Sequence, residues 1–253
     1  MDSATSSEKL KFYDLLFQAL PVEPIPVQKI VVGLHWTLVC SQTCGLASTL
    51  TNYGPHGHYR VRDVGNLERK SAQELAQWIL SENLTEASIG AAAINSLIEV
   101  DENQLVERNA SAVIADEAKG KNVVIVGHFP FIKEINSIPE HLWVIEKQPF
   151  GDDFPEEAAE EYIPQADIVA ITGTAMINHS IEKLISLCKK DAQVMILGPS
   201  TPLLPRLFDL GVTFLSGARV TDPQAAIHSI IQGASLPQVQ GIQLVTMLKD
   251  HHQ

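Results

Sequence analysis

From about residue 119 onward the chain repeats one unit: a short apolar run, a loop, then a helix-length stretch. The apolar runs are NVVIVG (122–127), LWVIEK (142–147), DIVAITG (167–173), QVMILG (193–198) and VTFLSG (212–217). Helical patterns fall near 130–137, 155–162, 178–189, 202–210 and 223–232. The last is bracketed by Asp222 as cap, Pro223 in the first turn and Gly233 beyond the end. Strands separated by helices cannot pair as tight hairpins, so the spacing predicts crossover connections and a parallel sheet covered on both faces. Right-handed crossovers then give a doubly wound, Rossmann-like α/β domain. In the tail, 236–253, only GIQLVTML has the composition of another strand.

The first hundred residues follow a mixed rhythm. Leu10, Tyr13, Phe17 and Leu20 keep helical spacing, predicting an amphipathic helix over 7–20 that ends at the Pro21–Pro26 segment. In IVVGLHWTLV, 30–39, every even position is apolar while Gly33, His35 and Thr37 fall on odd ones, which reads as one strand with a half-open face. Ser71 and Glu74 form a capping box before a helix over 72–82. EASIGAAAINSLI, 86–98, is a second helix whose alanines permit close packing. The division is therefore a small α+β domain over 1–110, with about three strands, and the parallel-sheet domain over 111–253.

Composition narrows the partners. Eighteen basic against thirty acidic residues give a formal charge of −12, and no Lys/Arg cluster offsets it. That field repels phosphate backbones and argues against nucleic acid, while a cationic or metal-bearing small ligand is favoured. No apolar run is long enough to span a bilayer. MDSATSSEKLKFYDLL lacks the basic-then-apolar order of a secretory signal, and three cysteines (Cys40, Cys44, Cys188) are too few for a disulfide framework. These readings place the protein in the cytoplasm. Symmetric homodimers are common at this size, but no surface stripe identifies an interface.

In an open parallel sheet, ligands sit beyond the carboxyl ends of the strands. That rule selects Gly127–Pro130, Glu146–Pro149, Thr172–Asn178, Gly198–Thr201 and Ser216–Arg219. The candidate ligand-binding residues are His128, Phe129, Pro130, Glu146, Thr172, Gly173, Thr174, Asn178, Gly198, Pro199, Ser200 and Thr201. Thr, Ser and Asn supply hydroxyls and an amide, and the glycines let a ligand approach the backbone. VVIVG followed by His128-Phe129-Pro130 is only half of a dinucleotide fingerprint. Pro130 removes an N–H donor and Phe129 fills space near the phosphate position, which makes NAD an unlikely cofactor. Against this, Glu146 stands 19 residues after Gly127, near the place of a ribose-binding carboxylate. Structural roles compete at each position. His128 can cap the next helix, Glu146 can be a solvated strand end, and Ser200 or Thr201 can cap a helix starting at Pro202.

Metal-ligating types occur in the first half: Cys40 and Cys44 at C-x₃-C spacing, His56 and His58 in GPHGH, and His35. Thiolates with imidazoles suit a divalent transition metal such as zinc, copper or iron, although the spacing matches no standard structural zinc site and Cys40 also continues the apolar face. The candidate metal ligands are Glu146, His128, Cys44, His56 and His58. No G-x-S-x-G, P-loop or H-E-x-x-H is present.

GLHWTLV, SIGAAAIN, VVIVGHFPF, Glu146 with Pro149, ADIVAITGTAMIN and LGPSTPLLPRLFDLGV, in this order, resemble a family of bacterial and archaeal proteins named for putative heavy-metal chelation. The resemblance runs from about residue 28 to 233. It implies an N-terminal domain like that of enolase, a Rossmann-like C-terminal domain and a site in the cleft between them. Phe129–Pro130, Glu146, Thr172–Thr174, Asn178 and Pro199–Thr201 would face that cleft. The expected function is binding of a heavy-metal ion or metal-bearing small molecule. The rivals are an enzyme acting on a nucleotide-like or anionic molecule and a non-catalytic accessory factor for metal uptake.

Overall fold

The computed structural model describes residues 11–52, 60–106 and 110–249. The described residues form a three-stranded antiparallel sheet and an eight-stranded, mostly parallel one. Helix α1 (Phe12–Ala19) buries Phe12, Leu15 and Leu16. Its inward stripe is thus centred beside the expected one, with Tyr13 and Phe17 only partly buried. It is tied to the larger part of the molecule: the Phe12 amide donates to Glu182 Oε1 (2.9 Å) and the Tyr13 hydroxyl to the Met176 carbonyl (2.7 Å).

The run 30–39 is two strands, not one. β1 (Lys29–Val32) and β2 (Trp36–Cys40) form a hairpin, and β3 (Cys44–Ser48) completes the sheet in the order β1-β2-β3. The break falls at Gly33, whose N–H donates to the Trp36 carbonyl (2.9 Å). A Cβ there would stand 2.7 Å from Ile230 Cγ2, so only glycine lets the turn pass beneath its neighbour. The alternation was misleading because β2 is buried on both faces. Trp36, Leu38 and Cys40 pack with Ala226, Ile230 and Val239, while Val39 joins the cluster on the other side. Thr37 is fully buried, satisfied by the Thr49 hydroxyl at 2.8 Å.

The capping box forms as the sequence predicts: Ser71 Oγ accepts from the Glu74 amide and Glu74 Oε2 from the Ser71 amide. Helix α2 (Ala72–Ala76) continues as a 3₁₀ turn, Gln77–Leu80. Helix α3 (Leu84–Leu97), capped by Asn83, is buried around most of its circumference and presses directly on β3.

One charge is buried with it. The Glu86 side chain, 4% exposed, pairs with Arg62 Nη2 at 2.9 Å and accepts from the Arg62 amide (2.8 Å) and Ser81 Oγ (2.7 Å). Burial alone would push this carboxyl up, but the Arg62 and Ser81 hydrogen bonds outweigh it and hold it below the ordinary 4.5. A lowered folded-state value means the contribution is complete above about pH 4.5 and is lost as pH falls through the folded value. Glu86→Gln is therefore expected to cost about 2 kcal/mol at neutral pH, the scale of hydrogen bonds to a charged group. In urea melts that gap to wild type should close on acidification below about pH 4.5; a gap independent of pH would contradict this ionic role.

Beyond Glu99 the chain enters the large sheet. Its elements are β4 (Leu105–Val106), α4 (Ala110–Glu117), β5 (Asn122–Val126), α5 (Ile132–Ile135), β6 (His141–Glu146), β7 (Phe154–Pro155), α6 (Ala159–Tyr162), β8 (Ile168–Thr172), α7 (Ile181–Leu187), β9 (Gln193–Leu197), β10 (Val212–Val220), α8 (Pro223–Ile231) and β11 (Ile242–Leu248). The strand order is β4-β11-β10-β9-β8-β5-β6-β7. β5 to β10 run parallel, and β11 is the final strand, antiparallel to β10 and β4. Both faces of the sheet are covered. Val123 and Ile125 of β5 pack with Val113, Ile114, Ile132 and Ile135, whereas Val124 belongs to the opposite cluster. The helix expected over 202–210 is a 3₁₀ turn, Pro205–Leu210, because Pro205 lacks the amide hydrogen that the fourth residue of an α-helix begun at Pro202 needs.

Candidate functional site

The chain leaves β5 toward β6 and β7, then returns to place β8 on the other side of β5. Consecutive connections thus diverge between β5 and β8, the place where an open parallel sheet leaves a crevice. A cavity of about 260 Å³ opens there, at the carboxyl ends of β5, β6 and β8. Its lining includes His128, Phe129, Glu146, Thr172, Thr174 and Asn178.

Gly127 makes the approach possible. It holds φ +104°, and a Cβ would come within 2.9 Å of the Thr172 Cβ, so the two strand ends meet only because this residue is glycine. The next amide, of His128, donates to Glu146 Oε2 (3.0 Å), and the Lys147 amide donates to Glu146 Oε1 (2.8 Å). Glu146 is therefore no loose strand end. Its carboxylate ties β5 to β6 and keeps further lone pairs on each oxygen.

His128 does not cap the following helix, whose N-cap residue is Phe131. Its Nδ1 instead lies 2.9 Å from Asp153 Oδ2. The Asp153 side chain is 6% exposed against 43% for His128, and it also accepts from the Phe150 amide (3.2 Å). A carboxylate at this place favours, in the neutral imidazole, the tautomer with the hydrogen on Nδ1 and the lone pair on Nε2. A carboxylate behind an imidazole in this way fixes the tautomer and ring orientation of a metal-ligating histidine. Asp153 carries no sequence signal: it lies in an irregular loop 25 residues from His128. Its place is set by Phe154, which packs edge-on to Tyr162, itself stacked on Trp143.

On the far wall, Thr172 and Thr174 hydroxyls lie 3.0 Å apart. Asn178 Oδ1 accepts from the Ser180 amide (3.2 Å) and hydroxyl (2.7 Å), which holds the side-chain amide in the cavity lining. His179, at φ +64°, places Nε2 2.8 Å from the Ile79 carbonyl, anchoring this turn to the small sheet's side of the molecule.

The remaining candidates lie elsewhere. Pro130 is exposed outside the cavity lining, and Gly173 is buried with Thr201 against it. Phe129, unlike these, does line the cavity, and it also stacks on Phe131 and packs partly into the core beside α5. The Gly198–Thr201 loop is a join, not a rim. Pro199, Ser200 and Thr201 are buried, and no helix follows for Ser200 or Thr201 to cap. Ser200 Oγ accepts from the Ser48 amide (2.9 Å), and its carbonyl accepts from Asn95 Nδ2 (3.2 Å), locking the two sheets together. Cys44 is not a free thiolate: its sulfur is bonded to that of Cys40, so the expectation of a Cys44 metal ligand is corrected for this state. His56 and His58 lie outside the described residues. Among the described residues no three His, Cys, Asp or Glu side chains are grouped to share an ion, and no helix is long and apolar enough to cross a membrane.

Two family profiles match the chain, over residues 13–98 and 109–249, and both carry the description Putative heavy-metal chelation. The chain belongs to this family. A crystal structure of a protein of unknown function from its DUF364 branch, from Desulfitobacterium hafniense DCB-2, superposes with a TM-score of 0.80 at 28% identity, covering 94% of this chain and 97% of that one. A second, from Pyrococcus horikoshii, gives 0.77 at 19% identity over 93% and 97% of the two chains, and shows the shared fold. An uncharacterized protein of Methanocaldococcus jannaschii is 24% identical over 191 residues, 72% of each chain. Both of these solved structures share the fold of this chain.

Proposed function

We propose that the chain binds a small metal-bearing molecule in the cavity between the ends of β5, β6 and β8. The observation that carries this reading is the Asp153–His128 pair, with His128 beside Glu146 in the cavity lining. Together with Glu146 it offers two donors, whereas a structural zinc site uses four and a catalytic one three. This set fits a metal that arrives already held by an organic ligand better than a bare ion. Thr172, Thr174 and Asn178 would orient the organic part by hydrogen bonding. When bound, the metal would supply a positive centre that His128 Nε2 and Glu146 complement. The family description agrees with this chemistry.

The test uses Ni²⁺ alone and Ni²⁺ complexed with citrate, titrated by calorimetry into metal-free protein. The complex is expected to bind at least about tenfold more tightly than the free ion, and His128→Gln to abolish the difference. Equal or absent binding of both by folded protein would count against the reading. One observation supports a second reading: Glu146 ends the strand beside β5, where such sheets hold a ribose diol. Adenosine would then raise the melting temperature without metal, and Glu146→Ala would remove that shift.

A further inference from the structure

A second cavity, of about 330 Å³, lies where the small sheet meets β10. Its wall includes Cys44, Thr43, Asn95, Glu99, Thr201 and Arg219. Cys44 faces Cys40 as a register partner across β2 and β3, with Cα atoms 4.0 Å apart. The three-residue loop between them, Ser41–Gln42–Thr43, is held without help from the sulfurs. The Ser41 amide donates to the Thr43 carbonyl (2.8 Å), the Thr43 amide to the Ser96 carbonyl (3.0 Å), and the Ser41 and Ser96 hydroxyls lie 2.7 Å apart. Cys40 is 6% exposed and packed in the core. Cutting the disulfide would therefore leave the hairpin in place and two adjacent thiols, Cys44 on the cavity wall and Cys40 packed beside it in the core. On that wall, Thr201 is 2% exposed and its hydroxyl has no hydrogen-bond partner among the described residues.

We propose that the reduced Cys40–Cys44 pair is a bidentate thiolate site for a soft metal ion of the Cu⁺ or Cd²⁺ class, reached through this cavity. The chemistry balances in two steps. An external dithiol passes its two S–H hydrogens to the pair and becomes a disulfide, or a phosphine with one water becomes the phosphine oxide; either way two electrons break the S–S bond and two thiols form. Each sulfur then gives up its proton as it bonds the metal, so two protons leave per ion. Thiolates select soft ions over hard ones. Chelation needs the two sulfurs farther apart than the disulfide holds them, a spread that side-chain rotation of adjacent cross-strand residues supplies. The oxidised state cannot bind, so the disulfide gates the site. This inference stands apart from the β5–β8 cavity and shares no residue with it.

The experiment reduces the full-length chain with a phosphine, confirms the free thiols by alkylation and mass measurement, and titrates Cd²⁺ while following thiolate-to-metal absorption in the ultraviolet. One Cd²⁺ per chain is expected in reduced protein and none in oxidised protein. Cys188→Ser and His128→Gln should leave the signal intact, and Cys44→Ser should weaken binding at least about 100-fold. Should Cys44→Ser fail to fold, the wild type still decides: bound Cd²⁺ must protect Cys40 and Cys44, but not Cys188, from alkylation. Reduced protein with no ultraviolet signal, or with unprotected Cys40 and Cys44, would overturn the proposal.

Discussion

Asp153→Asn is expected to weaken binding of the nickel–citrate complex by about 10- to 100-fold, the range found when the partner behind a metal-ligating histidine is lost. The reason is tautomeric. The Asp153 carboxylate only accepts, so in the neutral imidazole the tautomer it favours has the hydrogen on Nδ1 of His128, 2.9 Å away, and the lone pair on Nε2. An asparagine can turn its NH₂ toward the ring instead, which stabilises the opposite tautomer and removes the donor from the cavity. Stability should change far less than affinity, because the loop retains Phe154 against Tyr162. Asp152, the exposed neighbour, provides the control: Asp152→Asn alters only a screened surface charge and should leave affinity within about twofold. Equal losses in the two variants would mean that Asp153 acts through general charge and not through His128.

Gly45→Ala should be the most damaging single-methyl change in the small sheet. A Cβ on Gly45 would stand 2.2 Å from the Ala92 carbonyl oxygen and 2.3 Å from the Ser96 amide nitrogen. Both are backbone atoms of α3, so no rotamer change can relieve the contact. The helix must back away from β3, taking with it the Asn95 bridge to Leu46 and Ser200. Overpacking of a tight interior costs about 1–3 kcal/mol where side chains can yield, and a backbone clash belongs at or above the top of that range. Urea unfolding of the variant should show a stability loss of about 3 kcal/mol. By contrast Gly120→Ala, with nothing within 4 Å but φ +69°, meets only backbone strain and should cost about 1 kcal/mol. A Gly45 variant as stable as wild type would mean that β3 and α3 are not in backbone contact.

How much of this was legible from residues alone depended on the range of the interaction. Five of the six parallel strands are readable because each is an apolar run closed by glycine or a polar turn, a purely local signal; the two-residue β7 is too short to give one. The capping box at Ser71–Glu74 is equally local, and it forms as spaced. The hairpin hidden in 30–39 was not readable, since its even-position alternation is also what a strand buried on both faces produces when one face meets α8, a helix some 190 residues later. Among the site residues, those at the ends of β5, β6 and β8 were found by topology, because the order of strands fixes which ends converge. The Gly198–Thr201 loop obeys the same rule yet turns into the join with Ser48, a partner 152 residues away that no pattern announces. Asp153 was missed for the same reason. The Cys40–Cys44 bond follows from the β2–β3 register, which could not be assigned while β1 and β2 were read as one strand.

Crystals of the metal-free chain soaked in nickel–citrate, with diffraction collected at the nickel edge, test the central claim most directly. The account predicts one dominant anomalous peak in the β5–β8 crevice, about 2.0–2.1 Å from His128 Nε2, with the citrate density reaching Thr172 or Asn178. A dominant peak away from His128, or an empty crevice beside a bound complex elsewhere, would contradict it.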